Sequence, residues 1–299
     1  MIIFLGLFLR ARLRYDDAFW DAAERLVFKV LFPPLLFLSV AQSRLTPSSA
    51  ALFLSVGVSS MLLAVVASAS LRLFIKDNPI THASVFQCGF RFNTYIGFSI
   101  CLQLFDQTGF ALLALLIAFW VPISNTIAVS VLASAVAKAE GGAVGKKHSV
   151  FKTIVTNPLI IATVLGLAWN VTGWTIPTVP AVFLKHLGSA SLAMGLLCIG
   201  AGLRLQAFRG HGALIVASTI ERLMVVPAIA WGMGAVFSLS SVQAGVLLLF
   251  AALPTAQSCY VMTATMRGDA ASVAGVTTAQ TSAAMATLPV WTALIQSLT

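Results

Sequence analysis

Residues 242–266 read VQAGVLLLFAALPTAQSCYVMTATM, and this stretch decides the fold. It is apolar and long enough to cross a bilayer as a helix, which takes roughly 20 residues. Yet Pro254 sits near its middle, where a ring without an N–H removes a backbone hydrogen bond and crowds the preceding turn. Thr255, Gln257 and Ser258 follow at once and offer hydroxyls and an amide to backbone groups or to a ligand. Residues 83–105, ASVFQCGFRFNTYIGFSICLQLF, carry a polar interruption at a similar depth, Arg91-Phe92-Asn93-Thr94. Two broken helices crossing at the midplane bring two half-helix N-termini together, each with about half a positive charge. Such a pair favours an anion, above all a carboxylate. A mere kink is the plainer reading of Pro254 taken alone, because proline and glycine are common in membrane helices.

The rest of the chain has the same character. Of 299 residues, 59% are hydrophobic and only 9% charged, against about 25% charged in soluble proteins. Such a chain cannot cover a surface in water, and the expectation is an all-α polytopic membrane protein with no sizeable soluble domain. With no water in the hydrocarbon, backbone groups must pair within each span, and the alternating ten-residue strands of a barrel are missing. Ten runs emerge: 1–9, 26–41, 50–71, 83–105, 109–136, 151–171, 179–203, 213–239, 242–266 and 271–298. The first is too short to cross. It is no signal peptide either, because its basic residues follow the apolar stretch. A truncated first helix or a misplaced start is the expectation.

The loops set orientation. Arg10, Arg12, Arg14, Arg25, Arg72, Lys76, Lys138, Lys146, Lys147, Lys152, Arg204, Arg209 and Arg267 all fall on one side of the ten-span plan, and the other side carries little beyond Arg44. The positive-inside rule places the basic loops in the cytoplasm and both termini in the periplasm of a cell inner membrane. This distribution also accounts for the net charge of +9 without nucleic acid. Five spans on each side of the central polar stretch give the second half the opposite orientation, an inverted repeat. The expected organisation is a first repeat at 1–137, a linker at 138–150 and a second repeat at 151–299.

Arg91 is the costliest candidate, since an arginine inside a span costs at least about 2.5 kcal/mol unless it faces a cavity or a partner. It reads either as the counter-charge of an anionic substrate or as the ion-pair partner of Glu221. Glu221 and Arg222 read equally as residues that snorkel to the inner interface, as do Lys185 and His186 near the outer one. The run Thr277-Thr278-Ala279-Gln280-Thr281-Ser282 reads as a packing face before a pathway lining, and Asn125 after Pro122 reads similarly. Cys88, Cys101, Cys198 and Cys259 lie within apolar runs without a CxxC pair and read as packing residues. Gly141-Gly142-Ala143-Val144-Gly145-Lys146 is one residue short of a phosphate loop, with Lys147 where Ser or Thr belongs. Asn170-Val171-Thr172 matches a glycosylation sequon by pattern only. His82, His148, His186 and His211 lack ligand spacing. No catalytic constellation, metal set or cofactor motif stands out, so an enzyme is not expected.

Thr156-Asn157-Pro158-Leu159-Ile160 through Leu165-Gly166-Leu167 resembles the NPL…LGL opening of the second half in the auxin efflux carrier family, permeases related to the plant PIN carriers. Further matching stretches are Leu187-Gly188-Ser189-Ala190 through Gly200-Ala201-Gly202-Leu203, Pro227, Leu253-Pro254-Thr255-Ala256 with Gly268-Asp269, and Leu288-Pro289-Val290-Trp291. In the first half they are Leu26-Val27-Phe28, Pro34-Leu35-Leu36-Phe37 and Asn93-Thr94 with Gly97. The likeness covers nearly the whole chain. Two features depart from the pattern: Ser99 stands where the family often has proline, and the first span is short. The resemblance implies a ten-helix inverted-repeat fold with helices 4 and 9 unwound and crossing at the site of a small organic anion, such as an auxin-like acid or a dicarboxylate. It also makes a homodimer an expectation.

The expected function is therefore alternating-access transport of a small organic anion. Arg91, Asn93, Thr94, Thr255, Gln257 and Ser258 contact the substrate, and Pro254 keeps the ninth span open. The competing readings are a sodium- or proton-coupled symporter of the bile-acid-symporter-like fold and a non-transporting degenerate paralogue. Glu221 is the only deep acid available for a proton relay.

Overall fold

The computed structural model describes residues 1–13, 15–42, 47–105, 107–139, 157–203 and 211–298. Arg14, Arg44, Asp106, Lys146, Lys147, His148, Lys152, Thr156, Arg204, Arg209 and the glycine-rich stretch 141–145 lie outside them, as does most of the proposed linker. The described residues form helices and no strand. In chain order these are α1 (Ile2–Leu13), α2 (Asp17–Leu26), α3 (Phe32–Ala41), α4 (Pro47–Phe74), α5 (Pro79–Phe86), α6 (Thr94–Leu104), α7 (Gln107–Ala139), α8 (Pro158–Thr172), α9 (Thr178–Gly202), α10 (Gly212–Ile220), α11 (Val226–Val236), α12 (Ser241–Ala252), α13 (Ser258–Thr265) and α14 (Ala270–Leu298). Among the described residues, four helical stretches are long and apolar enough to cross a membrane: Ala50–Phe74, Gln107–Ala139, Thr178–Gly202 and Gly212–Val236. Pro158–Thr172 and Ser241–Ala252 are shorter apolar helices.

Two π-turns, Val27–Leu31 and Glu221–Val225, join α2 to α3 and α10 to α11. Both stand just before proline, Pro33-Pro34 in one case and Pro227 in the other. A proline cannot donate to the carbonyl four residues back, so the ladder slips there. The Phe32 amide donates to Val27 O and the Val226 amide to Glu221 O, each five residues back. Leu223 O, four residues before Pro227, is taken instead by the Trp291 indole N–H at 2.9 Å.

The chain separates into two compact units, each drawn from both halves of the sequence. One comprises Met1–Ala50, Phe98–Ala118 and Val150–Leu203. Within it α1 packs on α9, and α3 packs on α8 and α9. Small residues let these backbones approach closely. A Cβ on Gly200 would lie 1.8 Å from Ile3 O, and one on Gly6 would lie 2.1 Å from Leu197 O. The first helix also runs past the expected end at Leu9, through Arg10, to Leu13. The Arg10 guanidinium donates to Ala201 O near the end of α9, where a helix terminus welcomes a cation.

The other unit comprises Ala51–Gly97, Phe119–Ser149 and Arg204–Thr299. Its α12 packs against α11 and α14, and α14 also meets α10, α13 and α5. At one of its turns Asp269 caps α14, accepting from the Ser272 amide at 3.0 Å and its hydroxyl at 2.7 Å. Thr81 Oγ1 donates to the same carboxylate at 2.8 Å. His211 Nδ1 lies 2.7 Å from Asp77 Oδ2, and its Nε2 lies 3.8 Å from Asp269 Oδ2. Burial pushes the Asp269 carboxyl up, but the Ser272, Thr81 and His211 interactions outweigh it and hold the group below its ordinary value. His211 thus belongs to a polar cluster that its sequence spacing did not signal.

Candidate substrate site

The run containing Pro254 is broken. α12 ends at Ala252 and α13 begins at Ser258. Leu253 is extended, φ −67° and ψ 141°, as the residue before a proline tends to be. The run containing Arg91 is broken as well, without a proline. There α5 tightens into a 3₁₀ turn at Gln87–Gly89, residues 91–93 are irregular, and α6 starts afresh at Thr94. Asn93 restarts it as the N-cap, its Oδ1 accepting from the Ile96 amide at 3.3 Å. Ser99, in place of the family's proline, does not prevent the interruption. The two breaks touch: the Asn93 amide donates to Pro254 O at 2.8 Å.

Broken helices leave carbonyls and amides without intrahelical partners, and side chains from elsewhere in this unit take up the carbonyls. Arg222, fully buried, donates from Nε to Leu253 O at 2.7 Å, from Nη1 to Gly89 O at 3.3 Å and from Nη2 to Phe250 O at 3.4 Å. The Trp120 indole N–H bonds Phe90 O at 3.0 Å. Gln280 of α14 accepts from the Thr255 amide at 3.0 Å and donates to Ser218 O at 3.1 Å and Cys88 O at 3.5 Å. Glu221 is 4% exposed and accepts from Ser68 Oγ at 3.0 Å, while its Oε2 has no partner among the described residues. Glu221 and Arg222 do not follow the snorkelling alternative: both are buried, Arg222 because the carbonyls at the broken helix ends supply inside the protein the partners that water would otherwise provide, and Glu221 against the Ser68 hydroxyl.

The amide ends of the breaks have different neighbours. Arg91, 9% exposed, donates from Nη1 to Gln87 Oε1 at 2.7 Å and from Nη2 to Ser258 Oγ at 2.9 Å, and Nη1 also lies 3.6 Å from Met262 Sδ. The expected alternative, an ion pair with Glu221, is not made among the described residues. Every polar partner of Arg91 there is uncharged. Thr94 is half-buried at the start of α6, Gln257 is half-buried at the cap of α13, and Ser258 is exposed. Asn93 is 3% exposed, its Oδ1 on the Ile96 amide and its own amide on Pro254 O. Thr255 is fully buried, its amide on Gln280 and its hydroxyl 3.2 Å from Cys259 Sγ.

The structure thus gathers Arg91, Asn93, Pro254, Thr255 and Ser258 around the two breaks. Sequence reasoning missed Arg222, Gln280 and Trp120 as their supports. The signal for the first two was present, since each is a strongly polar residue deep in an apolar run. All four cysteines are buried free thiols. No curated protein matches the chain. A family model described as membrane transport protein matches residues 1–292, and the chain belongs to that family, the one to which the auxin efflux and PIN carriers belong.

Proposed function

We propose that the protein carries a small organic anion, a carboxylate, across the cell inner membrane by alternating access, binding it where the two helix breaks meet. The observation that supports this most is the state of Arg91. Its guanidinium is nearly buried, its partners among the described residues are all neutral, and it adjoins the starts of α6 and α13. A buried charge without a counter-charge is costly, and both helix starts add positive potential. A carboxylate at that position would offset all three. Arg91, Asn93, Thr94, Gln257 and Ser258 then form the hydrogen-bonding wall. Thr255 and Pro254 shape the break from behind. In this reading the chain is a ten-helix inverted repeat of 1–137 and 151–299, with basic loops in the cytoplasm and both termini in the periplasm.

The test is thermal unfolding of the purified full chain against a panel of mono- and dicarboxylic acids, followed by uptake of any stabilising acid into proteoliposomes. At least one acid raises the melting temperature. Losing a hydrogen bond to a charged group, about 1.5–3 kcal/mol, makes Arg91→Ala bind it roughly 10–100-fold more weakly. Gln257→Ala weakens binding less. If no acid binds or is transported, or if both variants behave as wild type, the reading fails.

A further inference from the structure

The C-terminal ends of the broken helices converge on one side chain. Gly89 O closes the 3₁₀ turn before the first break, and Phe250 O and Leu253 O close α12 before the second. All three point at Arg222. Each helix end carries about half a negative charge. Glu221, the next residue, adds a carboxylate in the same buried region, seated against Gly89: a Cβ there would lie 2.4 Å from Glu221 Oε2 and 1.7 Å from Ser68 Oγ. Three carbonyls and a nearby carboxylate form a cation cage. In carriers built on broken helices, unwound carbonyls and half-helix C-termini are what hold a coupling sodium ion. Here the cage already holds a guanidinium that does not deprotonate and has a fork of donors to match it. The π-turn at Glu221–Val225 sets the local geometry from which this side chain reaches both breaks.

We propose that Arg222 is a resident cation standing where a coupling sodium ion would bind, so that the protein works without sodium and acquires a cation requirement only when Arg222 is removed. The proposal extends the carrier reading to its coupling, and its primary test needs no transport. Thermal unfolding of the full-length protein in detergent is compared in sodium, potassium, guanidinium and choline chlorides at equal millimolar concentration. Wild type melts at one temperature in all four. Arg222→Ala melts lower in choline and recovers at least half of the loss, saturably, in guanidinium and in sodium. Arg222→Lys, which keeps a cation in the cage, melts between the two and ignores sodium. A sodium-specific rise in wild type overturns the proposal, as does an Arg222→Ala protein indifferent to every cation. If Arg222→Ala does not fold in any salt, Arg222→Met replaces it. Equal melting of Arg222→Lys and Arg222→Met, both blind to sodium, likewise overturns it. Failure of every organic acid to bind wild type would sink the carrier reading and leave this result standing.

Discussion

Replacing Gln280 by alanine should loosen the ninth-span break from 25 residues away in sequence. The side chain holds the Thr255 amide with its oxygen and Ser218 O with its nitrogen, both in fully buried surroundings. Alanine leaves the Thr255 N–H without its partner, a loss of about 1–3 kcal/mol, and removes the hydrogen bond to Ser218 O, worth about 1 kcal/mol, while the long 3.5 Å one to Cys88 O adds little. The sum is about 2–4 kcal/mol. At about 2–4 °C per kcal/mol for chains of a few hundred residues, the melting temperature falls by roughly 5–15 °C. The assay is thermal unfolding of the purified protein in detergent, with Gln280→Leu beside it. Leucine restores most of the volume but none of the hydrogen bonds, so it should keep at least half of the destabilisation. A leucine variant as stable as wild type would show that Gln280 acts by filling space, as its sequence setting suggested. An unchanged alanine variant would refute the account of the break as a structure held from behind by α14.

Trp120→Phe removes the donor to Phe90 O while keeping an aromatic ring, and should cost about 1–3 kcal/mol in unfolding experiments. Gly200→Ala places a methyl group against backbone at Ile3 O, which no rotamer can relieve. It should displace α1 from α9, costing about 1–3 kcal/mol or more and exposing a cysteine introduced at Leu7 to labelling. The Asp269 carboxyl is held below its ordinary value in the folded state, so its stabilisation is present above the unfolded value, about pH 4, and is lost as pH falls through the folded one. Asp269→Asn keeps the cap but not the charge. It should melt lower than wild type at neutral pH and show a shallower acid limb, and parallel pH profiles would count against that role. Trp291→Phe should weaken the α14–π-turn contact by stranding Leu223 O, and a melting temperature equal to wild type would contradict it.

Much of the fold was legible in the sequence because it rests on local covalent facts. Apolar runs of the right length form helices wherever water is excluded, and Pro254 marks a weak point in its run, since it carries no N–H and biases Leu253 away from the helical region; Pro122 and Pro289, inside continuous helices, show that a proline alone does not make a break. Polarity within an apolar run likewise singled out Arg91 and Asn93-Thr94, and the order of short motifs pointed to the family. The helix restart at Asn93 was half legible, as an asparagine capable of capping but with no proline to demand a break.

Partner choice was not local. Arg91 and Glu221 looked equally suited to pair by depth, and Glu221 and Arg222 looked equally suited to reach the interface. Which happens depends on where unpaired carbonyls lie, and those belong to residues remote in the chain: Gly89 O is 133 residues from Arg222, and Cys88 O is 192 from Gln280. The sequence by itself determined that two membrane helices carry polar interruptions. Only the tertiary structure decided that the breaks meet at Asn93 and Pro254, that Arg222 closes their carbonyl ends, and that Arg91 is bonded to Gln87 and Ser258. The physical reason is that a charged side chain in a dry interior goes to whichever unsatisfied backbone groups the fold brings within its reach, and the positions of those groups are a property of the packed chain.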